Sequence, residues 1–377
     1  MFRLLFPQHG MLSDDQFDRV ARAIGAGGAA LRGTIYEVRC ELNPHPAGQL
    51  TKNIQAFQNK RLEGVQHKYD ETVLFFPSAG QTCHAYCSFC FRWPQFVGEA
   101  EWKIQTRECE QLVSYLKTYP HVTDVLITGG DPMIMNTKSL RRYIEAFLTV
   151  DTLRTIRIGT KALSYWPARF LDDDDLMPLF EQVIESGKHL AFMAHLNHWR
   201  ELEPPLVRDA IRRVRNTGAV IRTQAPLLRN VNNDADVWAR LWTTSVQLGM
   251  TPYYMFVERD TGPSGYFRVP LIQAWEIYSD AIRGVSGLSR TARGPVMSTD
   301  QGKVCVDGVM SIEGSKALSL RFLQARDNRH VGQPFLAEYN EAAAWLDELR
   351  PYRSNKFWFE PDTQDTTADL GEELLVS

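Results

Sequence analysis

The run Cys83-His84-Ala85-Tyr86-Cys87-Ser88-Phe89-Cys90-Phe91-Arg92 places three cysteines within eight residues. Gaps of three and then two residues let one short loop wrap three thiolates around a single inorganic centre. A [4Fe–4S] cluster held by three thiolates keeps one iron open, whereas the ferredoxin pattern supplies four cysteines and closes the cluster. A structural zinc site also takes four ligands, usually as two separate pairs. No second pair is present in the sequence. The alternative reading is three structural cysteines or part of a zinc knuckle, and the spacing favours the cluster. Cys40, Cys109 and Cys305 are scattered and read as buried, reduced thiols.

A second stretch with chemical content is Thr128-Gly129-Gly130-Asp131-Pro132. Glycines at the end of a strand let the backbone approach a ligand closely. Asp131 can accept a hydrogen bond from an ammonium group. Taken alone the stretch is also a good turn, and its pairing with the cysteine loop gives it weight.

The elements that must position these groups follow a repeating grammar. Short apolar strands are expected over Thr72–Pro77, Val122–Thr128, Leu153–Ile158, His189–Ala194, Ala219–Gln224 and Thr251–Val257. Helical spacing intervenes over Thr106–Tyr119, Lys138–Leu148, Asp172–Ser186, Pro204–Asn216, Asp234–Leu248 and Pro270–Arg283. Six such alternations predict an α/β fold with parallel strands and right-handed crossovers, curling into a barrel or partial barrel. In such arrays ligands gather at the C-terminal ends of the strands, where the cysteine loop falls.

Residues 1–71 read as an N-terminal appendage, 72–284 as the barrel, and 285–377 as a C-terminal segment that completes the site. In the appendage, Ser13 caps a helix through Ile24, and Tyr36–Leu42 reads as an edge strand. The irregular stretch from Asn43 to Gly48 contains His45, which reads as a turn histidine rather than a ligand. Beyond Gly284, Lys303–Ile312 and Ala317–Gln324 read as a hairpin, Asn340–Leu349 as a short helix, and the end as an acidic tail.

The 377 residues are 44% hydrophobic and 23% charged, with net charge −3, an ordinary globular composition that announces no nucleic-acid surface. No apolar run approaches the roughly 20 residues of a membrane helix. The apolar start reads as too short for a signal peptide. The scattered reduced thiols and an oxygen-sensitive cluster fit a reducing cytoplasm.

The CxxxCxxC pattern with an aromatic residue before its last cysteine resembles the radical S-adenosylmethionine (SAM) superfamily. More narrowly, the chain resembles the lysine 2,3-aminomutase family, which combines SAM, a [4Fe–4S] cluster and pyridoxal phosphate (PLP). The likeness runs from Gln66 to Val306. It includes Cys90-Phe91-Arg92, Thr128-Gly129-Gly130-Asp131, Ile156-Arg157-Ile158-Gly159-Thr160-Lys161 and His195-Leu196-Asn197-His198. It continues through Gln224-Ala225-Pro226-Leu227-Leu228-Arg229-Asn230-Val231-Asn232-Asn233, Pro252-Tyr253-Tyr254 and Gly302-Lys303-Val304.

The resemblance implies a partial six-stranded (β/α)6 barrel and a 2,3-amino shift. Cys83, Cys87 and Cys90 would bind the cluster, and Gly129, Gly130 and Asp131 would line SAM. Thr160 and His195 would meet its adenosyl part. Gln224 would lie beside PLP, and Lys303 would be the lysine that bonds to it. Arg92 would fork onto the substrate's α-carboxylate. On the residues alone, Lys303 is also a plain turn into a strand, His195 and His198 are also plausible core histidines, and Arg92 also balances cluster charge. The resemblance further implies an electron donor of flavodoxin or ferredoxin type, and a homo-oligomer is open.

Three departures bear on substrate and cofactor. Lysine aminomutases hold the distal ammonium with acidic side chains. An ungapped match puts Arg259 and Val296 at those places, and a shift of one residue brings in Glu258 or Asp260. Arginine there would repel lysine and welcome a carboxylate, so an amino acid with an anionic or neutral polar side chain is expected. The stretch 67–72, where the family places phosphate-binding arginines, offers only Lys68. PLP is therefore expected to bind weakly or not at all, and a radical SAM enzyme acting without PLP on another amino acid or small amine is the alternative. The family's C-terminal cysteine group is absent, and no zinc is expected.

Overall fold

A computed structural model of the chain describes residues 1–43, 53–96 and 102–360. The stretch with His45 and the end of the acidic tail lie outside these residues. Ser13 caps α1 (Asp14–Ala26) through a reciprocal box with Gln16, as its sequence predicts. The following run is helical rather than extended. The expected edge strand at Tyr36–Leu42 lies instead within and just beyond α2 (Gly28–Glu41), which packs on α1. A small hairpin follows, formed by β1 (Ala56–Phe57) and β2 (Lys60–Arg61).

One eleven-stranded mixed sheet organises the rest. β3 (Val65–Tyr69) pairs antiparallel with β4 (Thr72–Phe75). Parallel pairing then runs through β5 (Asp124–Ile127), β6 (Thr155–Thr160), β7 (His189–His195), β8 (Val220–Leu227), β9 (Thr251–Val257) and β10 (Arg293–Ser298). The six expected strands are all present, and β10 makes the parallel run seven. Antiparallel β11 (Gly302–Ile312), β12 (Ser315–Ala325) and β13 (Pro334–Glu338) complete the sheet, so the expected hairpin is found. The expected helix at Asn340–Leu349 is reduced to a single 3-10 turn at Leu346–Glu348.

The crossovers are α3 (Glu110–Thr118), α4 (Thr137–Leu148), the short α5 (Ala162–Tyr165) and α6 (Ala168–Leu171), then α7 (Leu176–Glu185) and α8 (Pro205–Asn216). Further along come α9 (Ala235–Gln247), the short α10 (Ser264–Phe267) and α11 (Leu271–Arg283). Their apolar stripes explain why they form. On α4, Leu140, Tyr143, Ile144 and Phe147 recur at helical spacing and are buried, and the Asn136 side chain caps the helix at Ser139 N.

These stripes cover one face of the sheet. Val73, Phe75, Val125, Ile127, Ile156, Ile158, Leu190, Phe192 and Ile221 pack there in one core, each such side chain contributing about 1.5–3 kcal/mol. The alternate residues point to the other face. On β8 the buried Ile221, Thr223, Ala225 and Leu227 alternate with the half-buried Arg222, Gln224 and Pro226. That second face carries charge on neighbouring strands, with Asp124 on β5 accepting from Arg157 on β6 at 2.7 Å.

The two ends of the strand order come together without pairing backbones. Lys68 on β3 donates to the Thr299 carbonyl between β10 and β11. Arg326 after β12 donates to Asn53 Oδ1 at 2.8 Å, and Asn328 donates to Asp70 at 2.7 Å and Glu71 at 3.1 Å. The polar face of the sheet therefore lines a cleft bounded by β3 and β12.

Candidate active site

The cysteine loop follows β4 at the C-terminal end of the parallel strands. Phe89, the aromatic residue before the last cysteine, is buried against Leu4, Leu228 and Phe267, and its ring meets that of His195 edge-on at 5.5 Å. The N-terminal residues buttress the loop, since Ser88 N and Oγ donate to the carbonyls of Leu4 and Arg3 at 2.9 and 2.7 Å. Cys83, Cys87 and Cys90 carry free, half-buried thiols. Burial pushes all three up, Cys90 to about 11, and Cys87 is near enough to Lys161, Cys90 and Cys83 to feel their charges. Buried thiols of this kind become thiolates when a metal centre takes the negative charge. Among the described residues no three His, Cys, Asp or Glu side chains are gathered as ligands of one ion.

Asp131, 2% exposed, is the knot between this loop and the next two strands. Its carboxylate accepts from His84 Nε2 at 3.0 Å, Met133 N at 3.0 Å, Lys161 N at 2.8 Å and Thr160 Oγ1 at 2.7 and 3.0 Å. Both of its oxygens are thus engaged by the protein, and Thr160 serves it as a donor. The glycines before it are explained by the same contact. A Cβ on Gly130 would overlap the Thr82 carbonyl, and one on Gly129, whose φ is +141°, would overlap the Gln81 side chain. What approaches these glycines is the start of the cysteine loop itself, fixed by Asp131 N donating to Thr82 O at 3.0 Å.

Beneath this knot lies a buried ion pair absent from the candidates read in the sequence. Lys161 Nζ donates to Glu201 at 2.8 Å, Asn197 Oδ1 at 3.1 Å and the His195 carbonyl at 3.2 Å. Glu201 Oε1 accepts from Asn197 N and His198 N at 2.8 and 3.2 Å. His195 ends β7, and its Nε2 is buried with no hydrogen-bond partner among the described residues. Burial, with the nearby Lys161 ammonium, pushes its imidazole down to about 3, so the ring is neutral at pH 7. His198 instead caps the next turn by accepting from Arg200 N at 3.2 Å.

The cationic residues gather on the cleft face. Arg92 stacks over Phe76 at 4.8 Å and Phe91 at 4.9 Å, and Arg259 lies over Phe91 at 5.2 Å. Arg92 Nη1 and Arg259 Nε are buried with no hydrogen-bond partner among the described residues. Burial pushes the Arg92 guanidinium down to about 10 and lowers that of Arg259. Glu258, next in the chain, faces the opposite pressure. Burial and then Asp260 push its carboxyl well above the usual carboxylate range.

Lys303 occupies the far side of the cleft. Its Nζ donates to Gln324 Oε1 at 2.6 Å and lies 4.8 Å from the Tyr254 ring and 5.6 Å from that of Tyr69. Burial first, then Arg157, Arg293 and Lys68, push it down to about 7. Lys68 is likewise pushed down to about 7 by burial, Arg326 and Arg259. A depressed, desolvated amine of this kind suits carbonyl chemistry. The structure therefore brings Cys83, Cys87, Cys90, Gly129, Gly130, Asp131, Thr160 and His195 to one loop cluster. Lys68, Arg259 and Lys303 share a second, electrostatically coupled group, and Arg92 lies beside Arg259 between the two. The sequence reading missed His84, Lys161, Glu201, Arg222 and Arg293. Arg222 had a signal, since a charge inside the apolar run of β8 marks a strand with a polar inner face.

No protein-family model matches the chain. Among known proteins it is similar to the "Putative L-lysine 2,3-aminomutase" of Aquifex aeolicus (strain VF5), 32% identical over 289 residues, 76% of this chain and 75% of that protein. L-lysine 2,3-aminomutase of Escherichia coli (strain K12) is 26% identical over 61% of this chain and 64% of that protein. The corresponding protein of Bacillus subtilis (strain 168) is 25% identical over 60% of this chain and 46% of that protein. The chain thus spans less than two thirds of the latter two relatives. Among solved structures, Streptococcus suis SuiB bound to S-adenosylmethionine gives a TM-score of 0.41 at 13% identity, over 67% of this chain and 49% of that chain. Spore photoproduct lyase complexed with dinucleoside spore photoproduct gives 0.42 at 14% identity, over 58% and 75%. With a relative at 32% identity across three quarters of both chains, and its motifs in collinear order on one loop cluster and one cleft, the chain belongs to the lysine 2,3-aminomutase-like family.

Proposed function

We propose that this chain is a radical SAM enzyme that shifts an amino group between neighbouring carbons of an amino acid other than lysine, assisted by PLP, on a sheet rolled into a partial barrel. The observation that carries the reading is Lys303, a half-buried amine depressed to about 7 in the same cleft as two aromatic-stacked guanidiniums, Arg92 and Arg259. When bound, the cluster supplies the electron that splits SAM, and PLP supplies the group that carries the migrating nitrogen.

The residues present fit these groups. Three thiols on a pinned loop suit a cluster with one open iron. His195 Nε2 and Asn197 Nδ2, both buried without partners among the described residues, suit polar contacts to SAM at the end of β7. Lys303 offers a neutral amine at ordinary pH. Arg92, with a free buried Nη1, holds the substrate's α-carboxylate, and Arg259 favours an anionic or neutral side chain over an ammonium. The surrounding buried Phe76, Tyr69 and Tyr254 exclude water from the reacting carbons.

The test is anaerobic reconstitution with iron, sulfide, SAM and PLP, followed by incubation with single amino acids. SAM cleavage to 5′-deoxyadenosine, lost in Cys83→Ala, together with an absorbance of lysine-bound PLP lost in Lys303→Ala, is the expected result. Rapid turnover of lysine with none of glutamate or its relatives would refute the substrate reading. Cleavage of SAM without any bound PLP would favour the same scaffold acting without that cofactor.

A further inference from the structure

We propose that Arg222 and Arg293, both seated on the ring of Tyr253, form an anion subsite that takes the phosphate monoester of PLP whose aldehyde end lies at Lys303. The proposal rests on the PLP reading given above and assigns the group that anchors the cofactor's other end.

Two irregularities in the sheet create the subsite. β9 carries an extra residue between the pairs Thr223↔Pro252 and Gln224↔Tyr254. β10 carries another between Arg293↔Tyr254 and Val296↔Phe256. Bulges re-aim side chains, and this one sets two consecutive tyrosines side by side, their ring centroids 4.4 Å apart. Regular strands would have sent them to opposite faces. Arg222 approaches the Tyr253 ring at 5.4 Å and Arg293 at 4.5 Å. Arg293 also lies 4.3 Å from the Tyr254 ring, and Lys303 Nζ lies 4.8 Å from that same ring. Cations and rings thus alternate in one array that ends at the reactive amine. Arg293 and the reactive amine have the Tyr254 ring as a common neighbour.

The charges in this array lack their counterpart. Arg157, nearby, is matched by Asp124 at 2.7 Å. Arg222 and Arg293 make cation–π contacts but enter no ion pair and no side-chain hydrogen bond with any described residue. Arg293, which acts on Lys303, and Arg222 reach the same Tyr253 ring with no carboxylate on either, and a phosphate dianion presents oxygens that a guanidinium fork matches. Lys68, the cation in the stretch 67–72, is already committed to the Thr299 carbonyl. The subsite on β8 and β10 supplies positive charge from the middle of the sheet.

The experiment titrates the full, cluster-reconstituted chain with PLP and with pyridoxal, which lacks the phosphate, following the absorbance of the lysine-bound cofactor. Arg222→Met and Arg293→Met, which keep the apolar stems, are each expected to weaken PLP about tenfold or more and pyridoxal by much less, since pyridoxal feels only the change that loss of Arg293 makes at the Lys303 amine. Inorganic phosphate is expected to compete with PLP in the native chain and not in the double variant. Arg293→Lys, retaining charge without the fork, controls for folding and is expected to fall between. PLP affinity within about twofold of native in both methionine variants, or pyridoxal weakened as much as PLP, overturns the subsite and leaves the PLP reading standing. If no lysine-bound PLP forms in the native chain, the PLP reading fails by itself. Calorimetry with inorganic phosphate then decides the subsite, supported if binding vanishes in the double variant and overturned if the native chain binds none.

Discussion

Lys303 shows how much of the site's chemistry is set by surroundings rather than by residue type. Its amine is held near 7 by burial and by Arg157, Arg293 and Lys68, against an ordinary value of 10.5. Below pH 7 the lysine is charged in both folded and unfolded chains, and the folded chain bears the full cost of a desolvated charge. Between about 7 and 10.5 the unfolded chain binds the extra proton, so stability rises with pH across that window. Denaturant unfolding from pH 6 to about 8, before the raised thiols begin to act in the opposite direction, should show this rise, and Lys303→Met should flatten it in part, Lys68 contributing the remainder in the same direction. The same shift sets reactivity. Capture of PLP should climb to a plateau with a midpoint near pH 7, and a midpoint near 10 would show that the amine is not depressed.

At the scale of elements, the loops after β4, β5, β6 and β7 are tied to one another more tightly than to any solvent-facing group. Gly130→Ala would drive a methyl into the Thr82 carbonyl and displace the cysteine loop. A loss of about 1–3 kcal/mol is expected, together with reduced iron per chain after reconstitution. Gly187→Ala is the control. That residue ends α7 at φ +81° with nothing within 4 Å of an added Cβ, so about 1 kcal/mol should be lost with iron content unchanged. The Lys161–Glu201 pair, 5% and 1% exposed at its side chains, makes a sharper case. Lys161→Met should cost about 3–5 kcal/mol by stranding a buried carboxylate. Adding Glu201→Gln should recover part of that loss, since the amide oxygen still accepts from Asn197 N and His198 N. Urea unfolding of the two variants distinguishes them.

Over the whole molecule, the cleft exists because the first and last parts of the sheet meet through side chains. Arg326 links the region after β12 to Asn53 and lies in an ion pair with Asp300 at 3.4 Å. Arg326→Ala should loosen that meeting. Amide exchange in residues 65–69 is expected to quicken by about threefold to tenfold, while exchange in β7 and β8 stays native. Unchanged exchange in 65–69 would show that the closure rests on Lys68 and Asn328 alone.

The sequence determined what local pattern can encode. Three closely spaced cysteines, six apolar strands alternating with amphipathic helices, and the cap at Ser13 all act over a few residues, and all are found. It did not determine β10, because Arg293-Gly294-Pro295 reads as a break and pairing with β9 overrides it. It misjudged Tyr36–Leu42, where the preceding helical turns carry a strand-like composition onward as helix. Above all, strict alternation could not reveal two bulges that turn Tyr253, Tyr254 and Arg293 into one array, nor that Asp131 would be claimed by four neighbours from three loops. Those outcomes depend on which strands become neighbours and in what register, and register is a property of the assembled sheet.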